Sequence, residues 1–272
     1  MLGEALAYPF VLLFRRPVTV IGALLAGLVI SALVDEGWRQ LSALNLEAAA
    51  AFDPSFRLDP FYLSMQAVYY VVRSVAQSFP VALIFVAALR HLDFRDSGFR
   101  FADGARIGAL TAAYVLLFVA PLQIMYPVMM RAWMSSPRTT NVFMLAPFIG
   151  LGAFAVQAVV LAIFFLSWPH TIARQKLRLF LTWKVGWRKA LLAVVSLLLV
   201  LVATTFVNYA GSMANWTLFT ATGLDRVSDQ WRIRSLFQEW PRFLGVYFID
   251  AASALIYARV APPRPDRVAD HF

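Results

Sequence analysis

Six stretches of this chain stay apolar for close to the length that carries an α-helix across a hydrocarbon core of roughly 30 Å, about 20 residues. They lie at 17–34, 61–89, 107–130, 142–168, 190–208 and 243–257. In hydrocarbon every backbone N–H and C=O must be satisfied within the fold, so a spanning chain is helical or a closed barrel. The short alternating strands of a barrel are missing from the sequence. The expectation is an all-α, polytopic membrane protein with about six transmembrane helices in a single bundle over 1–260. The proline-rich, charged end, 261–272, reads as a flexible tail. Composition agrees. Only 14% of residues are charged, where a soluble chain carries roughly a quarter, and mean hydropathy is +0.69.

The first residues, LGEALAYPFVLLF, end at Arg15-Arg16-Pro17 and read as a helix lying in the interface. Further spans follow it directly and no clear small-residue cleavage site intervenes, so it is expected to belong to the bundle. Orientation follows from the cations in alternate segments. Fifteen lie in the N-terminal lead, the 90–106 loop, the 170–189 segment and the tail; eight lie on the other side, and Arg73 falls within a span. The richer side is expected to be cytoplasmic, with both termini inside. Of the 24 basic residues 21 are arginine, which points to a GC-rich bacterial genome and hence to a bacterial inner membrane.

The net charge of +9 would suggest nucleic acid in a soluble chain. Here the densest cations, in RQKLRLFLTWKVGWRK at 174–189, sit between two apolar runs that tether them to a bilayer. At helical spacing Ile172, Leu179, Trp183 and Trp187 share one side. The segment is expected to be an interfacial helix whose Arg174, Lys176, Arg178, Lys184, Arg188 and Lys189 meet anionic headgroups. Nucleic acid is not an expected partner; membrane lipids and other membrane proteins are.

An internal repeat is also expected from matching strings. FRRPVTVIGALL at residue 14 resembles WRKALLAVVSLL at residue 187, and ALIF at 82–85 resembles ALIY at 254–257. These matches are offset by 173 and 172 residues; a related outer string, EGWRQLS from Glu36 and DQWRIRS from Asp229, is offset by 193. The implied unit is interfacial helix, span, outer loop and span. Both copies start on the same side, unlike the inverted repeats of many secondary transporters.

Thr182, Trp183, Gly186, Trp187 and Arg188, in RLFLTWKVGWRKALLAVVSLLLV, resemble the amphipathic stretch that precedes a late span in bacterial YciC-like proteins and in the glycerophosphodiester phosphodiesterase membrane domain. SALIYARV resembles the close of that family. The likeness covers about a third of the chain and implies a six-span inner-membrane protein tied to membrane maintenance or envelope complexes. It transfers no catalytic residue.

The chain has no cysteine, and its three histidines, His91, His170 and His271, show no metal-ligand spacing. No Gly-rich phosphate loop or HExxH motif occurs, so neither metal nor cofactor is expected and the protein reads as a non-enzyme. The informative groups are polar residues inside spans. Asp250 lies midway along VYFIDAASALI, where a carboxylate costs several kcal/mol unless it is protonated, paired or hydrated. With Arg73, Gln77, Gln157 and Asn208 it forms the candidate set for a ligand or lipid headgroup. Counting about 1.5 Å per residue from the span ends argues against a direct Arg73–Asp250 pair. The leading expectation is an accessory or scaffold protein contacting lipids and partner membrane proteins. The alternative is a transporter or lipid-translocating protein with a polar pocket in its outer half.

Overall fold

The structure, a computed structural model, describes residues 2–43, 60–119, 164–177, 187–222 and 231–261, with Pro121 and Gly152. The described residues form eight α-helices and one π-helical turn. These are α1 (Leu2–Arg15), α2 (Pro17–Ala43), α3 (Pro60–Ala76), α4 (Ser78–His91), α5 (Phe101–Tyr114), the π turn Val115–Val119, α6 (Ser167–Arg174), α7 (Trp187–Thr222) and α8 (Trp231–Val260). Four stretches are long and apolar enough to cross a membrane: Pro17–Trp38, Ala67–His91, Leu191–Leu218 and Glu239–Val260. The chain is thus an all-α protein with several membrane-length helices. Most of the expected span 142–168 and the end of 107–130 lie outside the described residues.

The helices run past the expected span ends. Residues 35–43, 210–222 and 231–242 carry polar side chains, yet all are helical. A helix needs an apolar stripe only where it is immersed, and it continues into the interface while no breaker stops it. Proline shapes the rest. Pro17 and Pro60 occupy first helical positions, where a missing N–H costs nothing. Pro80 cannot donate to Ala76, and the expected span 61–89 is interrupted there at Gln77. The bonds Gln77 N–H to Arg73 O (3.1 Å) and Val81 N–H to Gln77 O (3.3 Å) carry the helix across the break. The π turn stands just ahead of Pro121, where the regular ladder loses a donor.

The lower end of α2 and the finishing ends of α4 and α8 define a near end of the bundle; Ala43, Pro60, Thr222 and Trp231 lie toward the far end. α8 is the central helix, packed against α1, α2, α4, α6 and α7. α7 lies along α8, and α2 packs on α4 and α8. The core joins Leu12 of α1, Val20 and Ala23 of α2, Phe85 and Leu89 of α4, Leu197 of α7, and Tyr247 and Ile256 of α8. α5 approaches α3 and α4 through Gly104 and Gly108, one turn apart. Gly104 faces the Phe79 ring, its carbonyl accepts the Ser78 hydroxyl (3.0 Å), and Gly108 faces Ser78 and Val75. Small residues at this spacing let two backbones meet closely in a membrane.

α1 is only partly the interfacial helix its sequence suggests. Ala5, Tyr8 and Leu12 are buried in the bundle, while Phe10, Val11 and Phe14 are exposed. Tyr247 donates to the Pro9 carbonyl (2.5 Å), Phe10 meets Phe248 edge-on, and Glu4 pairs with Arg259 (3.2 Å).

Candidate functional site

The most concentrated polar site joins three helices at the far end. Arg73 of α3 lies 3.2 Å from Asp35 of α2 and 2.7 Å from Glu239 of α8. One turn before it, Tyr69 donates its hydroxyl to Asp35 and accepts from Arg73 Nη1 (3.1 Å). The Tyr69 ring also lies beneath the guanidinium and against Trp38, with centroids 5.1 Å apart. Arg242, on the exposed flank, reaches Glu239 at 3.8 Å. Helical spacing explains the convergence. Asp35 ends the apolar run of α2, Glu239 begins that of α8, and Arg73 stands a turn and a half inside the stretch Ala67–His91. A buried guanidinium can satisfy two carboxylates at once because its donors fan out in a plane.

One turn deeper, Gln77 donates to Ser31 (2.6 Å). One further turn down α2, Gly27 faces the Phe243 ring, and a Cβ at Gly27 would lie 2.7 Å from it. Asp250 is seven residues beyond Phe243 on the same face of α8. It is buried, at 7% exposure, and its Oδ2 has no hydrogen-bond partner among the described residues. Arg73 and Asp250 therefore do not pair, as the span arithmetic anticipated.

The α7–α8 seam holds Asn208. Its carboxamide and the Thr204 methyl press against Gly245, where a Cβ would stand 2.6 Å from Asn208 Oδ1 and 2.8 Å from Thr204 Cγ2. Asn208 Oδ1 and Thr204 Oγ1 are buried without partners among the described residues. Farther out, Gly211 faces Pro241, and Trp240 donates to Asn215 (2.9 Å).

At the near end, both intramembrane-flanking histidines meet tyrosines. Tyr8 donates to the Ala88 carbonyl (3.0 Å) and sits 3.3 Å from His91 Nδ1; His170 Nδ1 lies 3.1 Å from the Tyr257 hydroxyl. Burial, with Tyr247 as a lesser contributor, raises the Tyr8 hydroxyl above its ordinary range and keeps it a neutral donor. Arg95 is buried on Asp103 (2.7 Å) and donates to the Ile172, Ser97 and Gly98 carbonyls, each at 3.0 Å. Asp103 in turn accepts the Arg100 N–H (2.9 Å) at the start of α5. This knot fixes the 92–100 loop against α5 and α6.

The basic segment departs from a single interfacial helix. α6 stops at Arg174 because Gln175 adopts a left-handed conformation (φ 55°), and Ile172 points inward, fully buried. Lys176 and Lys189 are exposed and Arg174 is half-buried. Arg178, Lys184 and Gln157 lie outside the described residues, as does the Arg188 side chain. Of the five candidate ligand residues, Arg73 and Gln77 thus share one interhelical ladder, Asn208 lies in another seam, and Asp250 stands apart. Sequence reasoning missed Asp35, Tyr69 and Glu239. Their signal was available: each lies at a span end or one helical turn from Arg73. No protein-family model, no curated protein and no solved structure matches the chain.

Proposed function

We propose that this chain is a non-enzymatic accessory or scaffold protein of a bacterial inner membrane, contacting anionic lipids and partner membrane proteins, with both termini cytoplasmic. The observation that carries the reading is the use made of Arg73. The cation within a span is committed to Asp35 and Glu239, so it braces three helices instead of lining an open cleft. Gln77 is likewise committed to Ser31. The apolar side chains of α7 that point away from α8, among them Leu199, Val202 and Phe206, are exposed and offer a surface to lipid or to another membrane protein. Purification in mild detergent, followed by protein and lipid mass spectrometry, tests this. A scaffold co-purifies with a stoichiometric membrane protein that is lost on Phe206→Ala with Val202→Ala; a chain that carries lipid alone sinks the reading.

The six-span count and the internal duplication belong to the same proposal. At the offsets given by the sequence strings, interhelical contacts fit the duplication. Adding 173 to α2 and 172 to α3–α4 turns the pair Asp35–Arg73 into Asn208–Gly245, which also face each other. The same shift turns Trp38–Tyr69 into Gly211–Pro241, again in contact. Ser31 becomes Thr204, which meets Gly245 as well. The family likeness in the Trp183–Arg188 stretch fits a role in envelope maintenance. A second reading, transport, is favoured by Asp250, whose unpartnered oxygen lies mid-span. Flux of ions through proteoliposomes that disappears in Asp250→Asn would establish it.

A further inference from the structure

We propose that Asp250 is the seat of a monovalent-cation site, reached from the far end along the α2–α4–α8 interface and closed above by the Phe243 ring. The proposal rests on the transport reading for its use, but binding and translocation are measured separately below.

Asp250 is the only charged residue of α8 between Arg242 and Arg259, and the spans around it are equally bare. Residues 17–34 of α2, 74–89 across the α3–α4 junction and 190–222 of α7 contain no Asp, Glu, Lys, Arg or His. The charged and titratable groups on the elements packed against α8 are Glu4, Tyr8 and Arg15 of α1, Asp35, Glu36 and Arg39 of α2, Arg90 and His91 of α4, His170 and Arg174 of α6, and Arg188, Lys189 and Tyr209 of α7; α8 itself adds Arg232, Arg234, Glu239, Arg242, Tyr247, Tyr257 and Arg259. Glu4 is engaged with Arg259, Tyr8 with Ala88 and His91, His170 with Tyr257, and Tyr247 with Pro9. Among the described residues no cation pairs with Asp250. An isolated carboxylate in the middle of a span needs a countercharge, and its Oδ2 is free to hold one.

Polar groups mark the side of the helix interface that lies between Asp250 and the far end. Glu239, Phe243 and Asp250 share one face of α8, and their spacing of four and seven residues sets them about 6 and 10 Å apart along the axis. Opposite them, Asp35 with Arg73 and then Ser31 with Gln77 form two polar rungs descending from the far end. The rungs stop where Phe243 lies on Gly27. The absence of a side chain at Gly27 gives the ring its seat, so the closure is built from a glycine and an aromatic between a polar ladder and a buried acid. A proton and an alkali ion both supply the countercharge, and the test separates them.

Full-length protein in detergent is melted across a sodium and potassium series at fixed pH, and across a pH series with choline replacing alkali ions. Wild type should gain at least about 3 °C with one of the two variables, and Asp250→Asn should lose that response. A response to sodium or potassium identifies an alkali ion; a response to acid alone identifies a proton. No response, or the same response in both proteins, overturns the site. Because the chain has no native cysteine, Asp250→Cys reports the route through its reaction with a small cationic methanethiosulfonate. Phe243→Ala should accelerate that reaction at least tenfold and leave a Gln77→Cys control unchanged. Equal rates with and without the ring overturn the closure. Absence of ion flux beside a saturable, Asp250-dependent melting shift would remove transport and leave the site standing.

Discussion

Arg73 shows how one side chain can set a local architecture. Its guanidinium is shared by carboxylates from α2 and α8, and truncation leaves both acids facing a low-dielectric interior without their cation. Arg73→Ala is expected to destabilise the protein by about 3–5 kcal/mol. Arg73→Lys should fall between, because a point-like ammonium cannot match both carboxylates and Tyr69 in one plane. Denaturant unfolding in detergent measures both, and a loss below about 1 kcal/mol for the alanine variant would deny the cluster its bracing role. Gly245 is the complementary case, a residue valued for what it lacks. Gly245→Ala drives a methyl into Asn208 and Thr204 and should cost about 1–3 kcal/mol by overpacking. Gly22→Ala is the control: nothing lies within 4 Å of its Cβ position, so it should be neutral or slightly stabilising.

Among elements, register is the quantity that matters. An antiparallel helix pair can slide by whole turns without losing apolar burial, so polar rungs and glycine seats choose the alignment. Between α2 and the α3–α4 run the choice is made by Asp35–Arg73 and Ser31–Gln77; on the α7–α8 pair it is made by Asn208 on Gly245 and Gly211 on Pro241. If the pairs are copies, equivalent positions must be equally close. Cysteines at Ser31 and Gln77, and separately at Thr204 and Ile249, should therefore be joined by the same short bifunctional thiol cross-linker. Linkage of the first pair with none of the second would refute the shared register. α5 follows the same logic on a smaller scale, since Gly104 and Gly108 bring its backbone onto Phe79 and Ser78.

At the scale of the molecule, the near and far ends differ in charge. Cations cluster toward the near end, where Arg15, Arg16, Lys176 and Lys189 are exposed. Cysteines placed at the exposed far-end residues Gln40 and Thr220 should label with impermeant maleimide in intact cells, whereas Lys176→Cys should label only after permeabilisation. The reverse pattern would invert the topology. Anionic lipid retained by the purified chain should fall in Lys176→Gln with Lys189→Gln, and added salt should diminish the difference between the two proteins. Equal retention at low salt would leave the near-end cations without a lipid role.

Much of this was legible in the amino-acid sequence because a bilayer imposes a strong one-dimensional code. Apolar runs of membrane length specify helices, prolines mark where those helices start or break, and the oddity of Asp250 and Arg73 inside them is visible by inspection. The proposed duplication begins there too, as an offset between similar strings. What the sequence could not supply was which polar group meets which. Asp35, Arg73 and Glu239 are far apart along the chain, and only the packing of α2, α3 and α8 makes them one cluster while leaving Asp250 alone. Likewise, periodicity alone carried an interfacial helix from 170 to 189, but buried contacts of Ile172 and the left-handed turn at Gln175 end α6. Hydrophobicity is a local property and fixes the elements; pairing depends on helix rotation and register, which exist only once the helices are packed.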